Sequence, residues 1–169
     1  MTEAAPWQTP PAQKTRLNDV VTTTTEIGNK IRHEILIDPV AKPRQTQRDK
    51  WNPSKAVIKY RAYADKLRST GLTIPEAGYH ITFILPMPKS WAKSKRAAKD
   101  GGPHQQRPDK DNLEKAVLDA LFKEDSHVWD GRATKIWGEV GKIIIEYEVQ
   151  QWPQTNRMTS KSSSPSGTI

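Results

Sequence analysis

The sequence contains no cysteine. That absence removes disulfides, thiolate zinc sites and cysteine nucleophiles together. It is compatible with a reducing compartment such as the cytosol. No apolar run reaches the roughly 18 residues a membrane-spanning helix needs. The first residues, Met1 to Pro6, have neither a basic start nor an apolar stretch, so no secretory leader is expected. There is no His-Glu-x-x-His, which argues against zinc hydrolysis. No nucleotide cofactor is expected. Hydrophobic residues make up only 34% of the 169, so part of the chain should lie outside the core.

Positive charge, by contrast, is plentiful. Lysine and arginine number 27 against 19 acids, a formal net charge of +8. Such an excess favours polyanionic partners, nucleic acid first and an anionic membrane surface second. The length favours one domain with loose flanks. Residues 1–29 hold a Thr22–Thr25 run and few large apolar groups, and are read as a flexible segment. Residues 151–169 end in serine, proline and glycine and are read as a disordered tail.

The domain is expected between 30 and 150. Ile31–Ile37 reads as a strand stopped by Asp38-Pro39. A basic loop follows with Lys42, Arg44, Arg48 and Lys50. Ser54 can cap a helix in which Val57, Tyr60, Ala64 and Leu67 recur at helical spacing. Tyr79–Leu85 is a second strand, stopped by Pro86-Met87-Pro88. Residues 89–106 read as a long loop carrying Lys89, Lys93, Lys95, Arg96 and Lys99. Asp111 is the expected cap of the next helix, with Glu114 completing a capping box. Leu113, Ala116, Val117, Ala120 and Leu121 form its buried face. Two strands close the domain, Thr134–Val140 and Lys142–Val149, turned at Gly141. The expectation is a small α+β domain: a mixed sheet with two main helices, in the order β-α-β-loop-α-β-β.

Three carboxylates carry candidate chemistry. Asp109 and Asp111, two apart on a segment entering a helix, can point to one side. Asp130 follows the helix, beside Gly131. Hard magnesium takes oxygen ligands and keeps several waters, so two or three carboxylates suffice. Lys115, one turn after Asp111 on the same face, could stabilise charge on a phosphate. Phosphodiester hydrolysis needs a cation, an activated water and an added positive group. Each part also has an ordinary reading. Asp-x-Asp is commonly a turn or helix cap, Lys115 with Asp111 and Asp119 could be a solvated ion-pair ladder, and Asp130-Gly131 alone is a turn. The combination within about forty residues lifts the case.

Trp51 and Trp91 stand beside cations, suited either to stacking on an unpaired base or to packing the loop bases against the sheet. Trp129 and Trp137 read as core or subunit contacts. His104 and His127 flank the acids but suit zinc better than magnesium.

The run from Arg107 through Asp109, Asp111, Asn112, Leu113 and Lys115 to Asp119-Ala120-Leu121, then Val128-Trp129-Asp130, resembles RusA-type Holliday junction resolvases, often borne by phages and prophages. The family pattern is Asp-x-Asp-Asn-Leu-x-Lys, a helix ending Asp-Ala-Leu, then an acidic residue. The resemblance spans about Ile31 to Val149. It implies a magnesium-dependent homodimeric endonuclease, with manganese a possible substitute, that resolves four-way junctions by paired nicks in recombination and repair. It places metal ligation on Asp109, Asp111 and Asp130 and a catalytic lysine at Lys115. It also implies the cytoplasm of a bacterial or phage-infected cell. Many relatives have two adjacent acids at the third position. Here Trp129 precedes Asp130, and Asp125 is the nearest alternative. DNA contacts are expected from Lys42, Arg44, Arg48, Lys89, Lys93, Lys95, Arg96, Lys99 and Arg107. Two other readings remain: a non-catalytic DNA-binding or regulatory protein on the same fold, and a nuclease for other branched or flap DNA.

Overall fold

Residues 13–17 and 20–149 are described by a computed structural model. Six strands form one mixed sheet: β1 (Gln13–Leu17), β2 (Val20–Ile27), β3 (Lys30–Leu36), β4 (Tyr79–Pro86), β5 (Gly131–Gly138) and β6 (Lys142–Glu148). Their spatial order is β1-β2-β3-β6-β4-β5. Among the described residues, three α-helices accompany them: α1 (Lys55–Ser69), α2 (Lys93–Lys99) and α3 (Lys110–Leu121). The α+β class holds.

Alternation fixes which sheet face is covered. Along β4 every second residue, Tyr79, Ile81, Phe83 and Leu85, is buried. Ile143 and Ile145 of β6 and Ile35 of β3 join them. Against this face pack Tyr60, Tyr63, Ala64 and Leu67 of α1 and Leu113, Ala116, Val117 and Ala120 of α3. Both helices therefore bury the stripe that their spacing predicts. Ser54 caps α1, its hydroxyl accepting from Val57 N–H. No helix among the described residues is long and apolar enough to cross a membrane.

Three expectations are corrected. First, residues 20–27 are a strand, not part of a flexible segment. β2 pairs with β3 through a two-residue Gly28-Asn29 turn, with Gly28 at φ +62°. The threonines that looked unstructured are β formers: Thr22 is buried, and Thr24 Oγ1 bonds His33 Nδ1 at 2.9 Å. The first twelve residues and the tail expected over 151–169 lie outside the described residues.

Second, β5 and β6 do not form a hairpin. β4 lies between them, parallel to β5 and antiparallel to β6. The segment from Glu139 to Gly141 crosses the end of β4, where Met87 N–H donates to Gly138 O. Three extended residues span about 10 Å, two strand spacings. Gly141 passes so close to Asp38 that a Cβ would overlap it. The parallel β4–β5 pair needs a long crossover, and the segment containing α3 supplies it.

Third, the long loop at 89–106 contains α2 and is tied down. Gly101 N–H donates to Trp137 O, Trp137 N–H to Gly102 O, and His104 N–H to Lys135 O, so the loop runs along the free edge of β5. Trp91 packs on Trp137, with ring centroids 5.0 Å apart, and His104 stacks on Trp137 at 3.9 Å.

Candidate active site

The site begins at the entry to α3. Lys135, on β5, donates from Nζ to Gln106 O and to Pro108 O, each at 2.6 Å. These bonds anchor the segment Gln106–Pro108 to the sheet just before the helix. Asp109, not Asp111, is the N-cap residue, and its carboxylate makes no capping bond. Asp111 lies within the first turn. The expected capping box is absent: Glu114 instead accepts from the Tyr79 hydroxyl at 3.1 Å and pairs with Lys110 at 3.8 Å. Both aspartates are exposed, so their oxygens face solvent at the helix N-terminus.

The second half of the site is the entry to β5. Trp129 N–H donates to Glu76 O, and Gly78 N–H to Asp130 O, at 3.2 and 3.1 Å. These bonds seat residues 129–130 beside the start of β4. Gly131 is not a turn residue but the first residue of β5. A Cβ there would overlap the Tyr79 ring, so glycine is what lets the phenol lie over this strand. Burial first, then Glu114 and Asp130, hold the Tyr79 phenol above its usual pKa range. The Tyr79 hydroxyl thus links Glu114 of α3 to the Asp130 end of β5.

Among the described residues, no three His, Cys, Asp or Glu side chains lie close enough together to hold a metal ion. Asp109 and Asp111 stand at the entry to α3 and Asp130 just before β5, and the three do not form a closed cluster. The donor set nevertheless fits a hard divalent ion. Magnesium is held through one or two carboxylates, waters and substrate phosphate oxygens, and exposed aspartate oxygens are donors of that kind.

Lys115 does not pair with Asp111 or Asp119. Its Nζ sits 3.2 Å from Asp125 Oδ2, across the turn that follows α3. Asp119 is engaged elsewhere: it forms an ion pair with Lys42 and accepts from the Tyr60 hydroxyl at 3.2 Å. Burial, then Asp119, pushes the Tyr60 phenol up to about 12. Lys42 also donates its backbone N–H to Asn112 O at 2.9 Å. This expected DNA contact is thus a half-buried strut between the basic loop and α3.

The other expected cations divide. Arg44, Arg48, Lys89, Lys93, Lys95, Lys99 and Arg107 are exposed. Lys95 lies over the Trp91 ring, 4.3 Å from its centroid. Arg96 is partly buried and bonds Glu139 at 3.3 Å. The basic loop has its own fastener. Asp49 accepts from Ser54 N–H and from Thr46 N–H and Oγ–H, and these bonds hold its pKa down at about 2.

The tryptophans divide as well, Trp137 and Trp91 packing as one of their expected readings has it. Trp137 is buried and Trp91 packs on it. Trp51 is 91% exposed and Trp129 72%, so neither packs into the core. His104 is buried on Trp137, and burial and then Lys135 lower its pKa. Tyr79, Glu114 and Lys135 escaped the sequence reading. Only Glu114 carried a local signal, and it pointed to capping.

No curated protein was found to match the chain. Residues 37–148, more than half of the chain, match the family model described as endodeoxyribonuclease RusA. That match covers β4, α2, α3, β5 and β6, both chain entries and the Asp-x-Asp-Asn-Leu-x-Lys run between them. The chain belongs to the RusA endodeoxyribonuclease family.

Proposed function

We propose that this endonuclease is magnesium-dependent and structure-selective, and that it resolves four-way DNA junctions by paired symmetric nicks in recombination and repair. The observation that carries this reading is the seating of Asp109, Asp111 and Lys115 on the first turns of α3, with Tyr79 and Glu114 linking that helix to the Asp130 end of β5. The family match supports the nuclease part.

Asp109, Asp111 and Asp130 would hold the ion, with manganese a possible substitute. Bound there, a divalent cation supplies neutralisation of phosphate charge and a more acidic water. The chain's own groups do the rest. Lys135 fixes the backbone that leads to Asp109, and the Glu76 and Gly78 backbone fixes Trp129 and Asp130. Lys115 is half exposed on a flexible stem. Swung from Asp125, its ammonium can meet charge developing on the cut phosphate. Exposed cations on the basic loop and α2 would track the DNA backbone.

A four-way junction has two-fold symmetry, and matching nicks need two symmetry-related sites, so the working form is a homodimer. It would act in the cytoplasm of a bacterial or phage-infected cell. The test is cleavage of a synthetic four-way junction, beside forks, flaps and linear duplex, with magnesium and with EDTA. Wild type should cut the junction in preference and only with the metal. Asp111→Asn should bind it at wild-type affinity and lose cutting by at least about a hundredfold, the scale of removing one group from a charge-stabilising site. Junction nicking by Asp111→Asn at the wild-type rate would sink the assignment.

A further inference from the structure

We propose that Trp129 is a base-stacking residue, which receives an unpaired nucleobase at the branch point into the cavity beside it. The inference rests on the junction-nuclease reading above and extends it to substrate selection. Four observations carry it. Trp129 is 72% exposed, although an indole is a side chain that folding ordinarily covers. The main chain that carries it is fixed: the Trp129 backbone N–H donates to Glu76 O, and the Asp130 carbonyl accepts from Gly78 N–H. Trp129 directly precedes Asp130, at the entry to β5. And it lines a cavity of about 520 Å³ with Ile74, Pro75, Ala77 and Tyr147.

The cavity's chemistry selects a base over a phosphate. Its walls are largely apolar, and its charged members are Glu76 and Glu148. Carboxylates repel phosphate but accept from the exocyclic amines and ring N–H groups of bases. A ring stacked on Trp129 therefore keeps its edge within a set of acceptors. Adjacent Cα atoms are about 3.8 Å apart. The stacked base consequently belongs to a nucleotide at, or next to, the phosphate that reaches Asp130. Paired duplex offers no free base face there, whereas a branch point does. Stacking is thus a means of choosing where along DNA the site engages.

The experiment places 2-aminopurine at successive positions around the crossover of a four-way junction and titrates the full-length protein in EDTA, so that no cutting occurs. Wild type should quench one position at or beside the crossover. Trp129→Phe should keep part of that quenching and Trp129→Ala should lose it. Junction affinity of Trp129→Ala should fall roughly 5- to 150-fold, the range of one base–aromatic stack, and more than its affinity for linear duplex. The side chain is exposed, so the thermal midpoint should not move. Wild-type quenching and affinity in Trp129→Ala overturn the inference while leaving the nuclease reading intact. A lower oligomeric state of Trp129→Ala in sedimentation, with equal loss on junction and duplex, also overturns it, because the residue is then a subunit contact. If wild type neither prefers nor cuts junctions, the reading beneath it falls and the inference falls with it.

Discussion

Lys135 shows how a residue with no motif of its own can set a site. Its position on β5 puts an ammonium beneath the carbonyls of Gln106 and Pro108. A charged donor makes each of these bonds stronger than a neutral pair. The Asp-x-Asp run is visible in the sequence because its chemistry is local. Lys135 is invisible there, because its partners lie 27 and 29 residues away. Glu114 was misread for the same reason: its spacing from Asp111 suggests a capping box, but Tyr79 reaches it from β4. Lys135→Met should lower stability by about 1–3 kcal/mol and free the segment before Asp109. Because that segment leads to Asp109, a proposed metal ligand, kcat should fall more than KM rises. A loss of stability in chemical denaturation with unchanged kcat would reduce Lys135 to a structural role.

At the scale of elements, periodicity served the helices well and the strands unevenly. The apolar stripes of α1 and α3 match those expected, since each is set by neighbours three and four residues apart. Strand existence was equally legible for β3, β4 and β6. Strand partnership was not. Gly141 reads as a hairpin turn, yet its tight passage serves a crossing next to Asp38. Insertion of β4 between β5 and β6 depends on packing that no local window contains. β2 was missed because its buried positions alternate valine and threonine, Val20 and Thr22, instead of large apolar groups. This mistake has a measurable consequence. A chain beginning at residue 30 would leave β3 as an open edge and remove the Thr24 partner of His33. Burial of Val20 alone contributes about 1.5–3 kcal/mol, out of a typical total of about 5–15. The shortened chain should melt at a distinctly lower temperature by circular dichroism and aggregate. An unchanged midpoint would show that β2 is dispensable.

For the whole molecule, a net charge of +8 predicts binding to a polyanion but does not say which cations touch it. The structure separates them. Lys42 holds Asp119 in a half-buried pair, and Arg96 holds the exposed Glu139, so each is already paired within the protein. Lys93, Lys95 and Lys99 are exposed on α2, which the tryptophan pair and the edge of β5 hold in place. The two classes should respond differently to mutation. Each phosphate contact on duplex arms contributes a slope of about −0.9 to the logarithm of affinity against the logarithm of salt. Replacing Lys93, Lys95 and Lys99 with glutamine should flatten that slope by up to about 2.7, with little change in unfolding. Lys42→Gln should leave the slope nearly unchanged. It should instead destabilise the fold by on the order of 1–2 kcal/mol, between the values for exposed and buried pairs. Salt titrations of junction binding, read beside denaturation curves for the same proteins, separate the two. If Lys42→Gln flattens the slope while its stability holds, then Lys42 leaves Asp119 to contact DNA, and the strut between the basic loop and α3 is a feature of the free protein only.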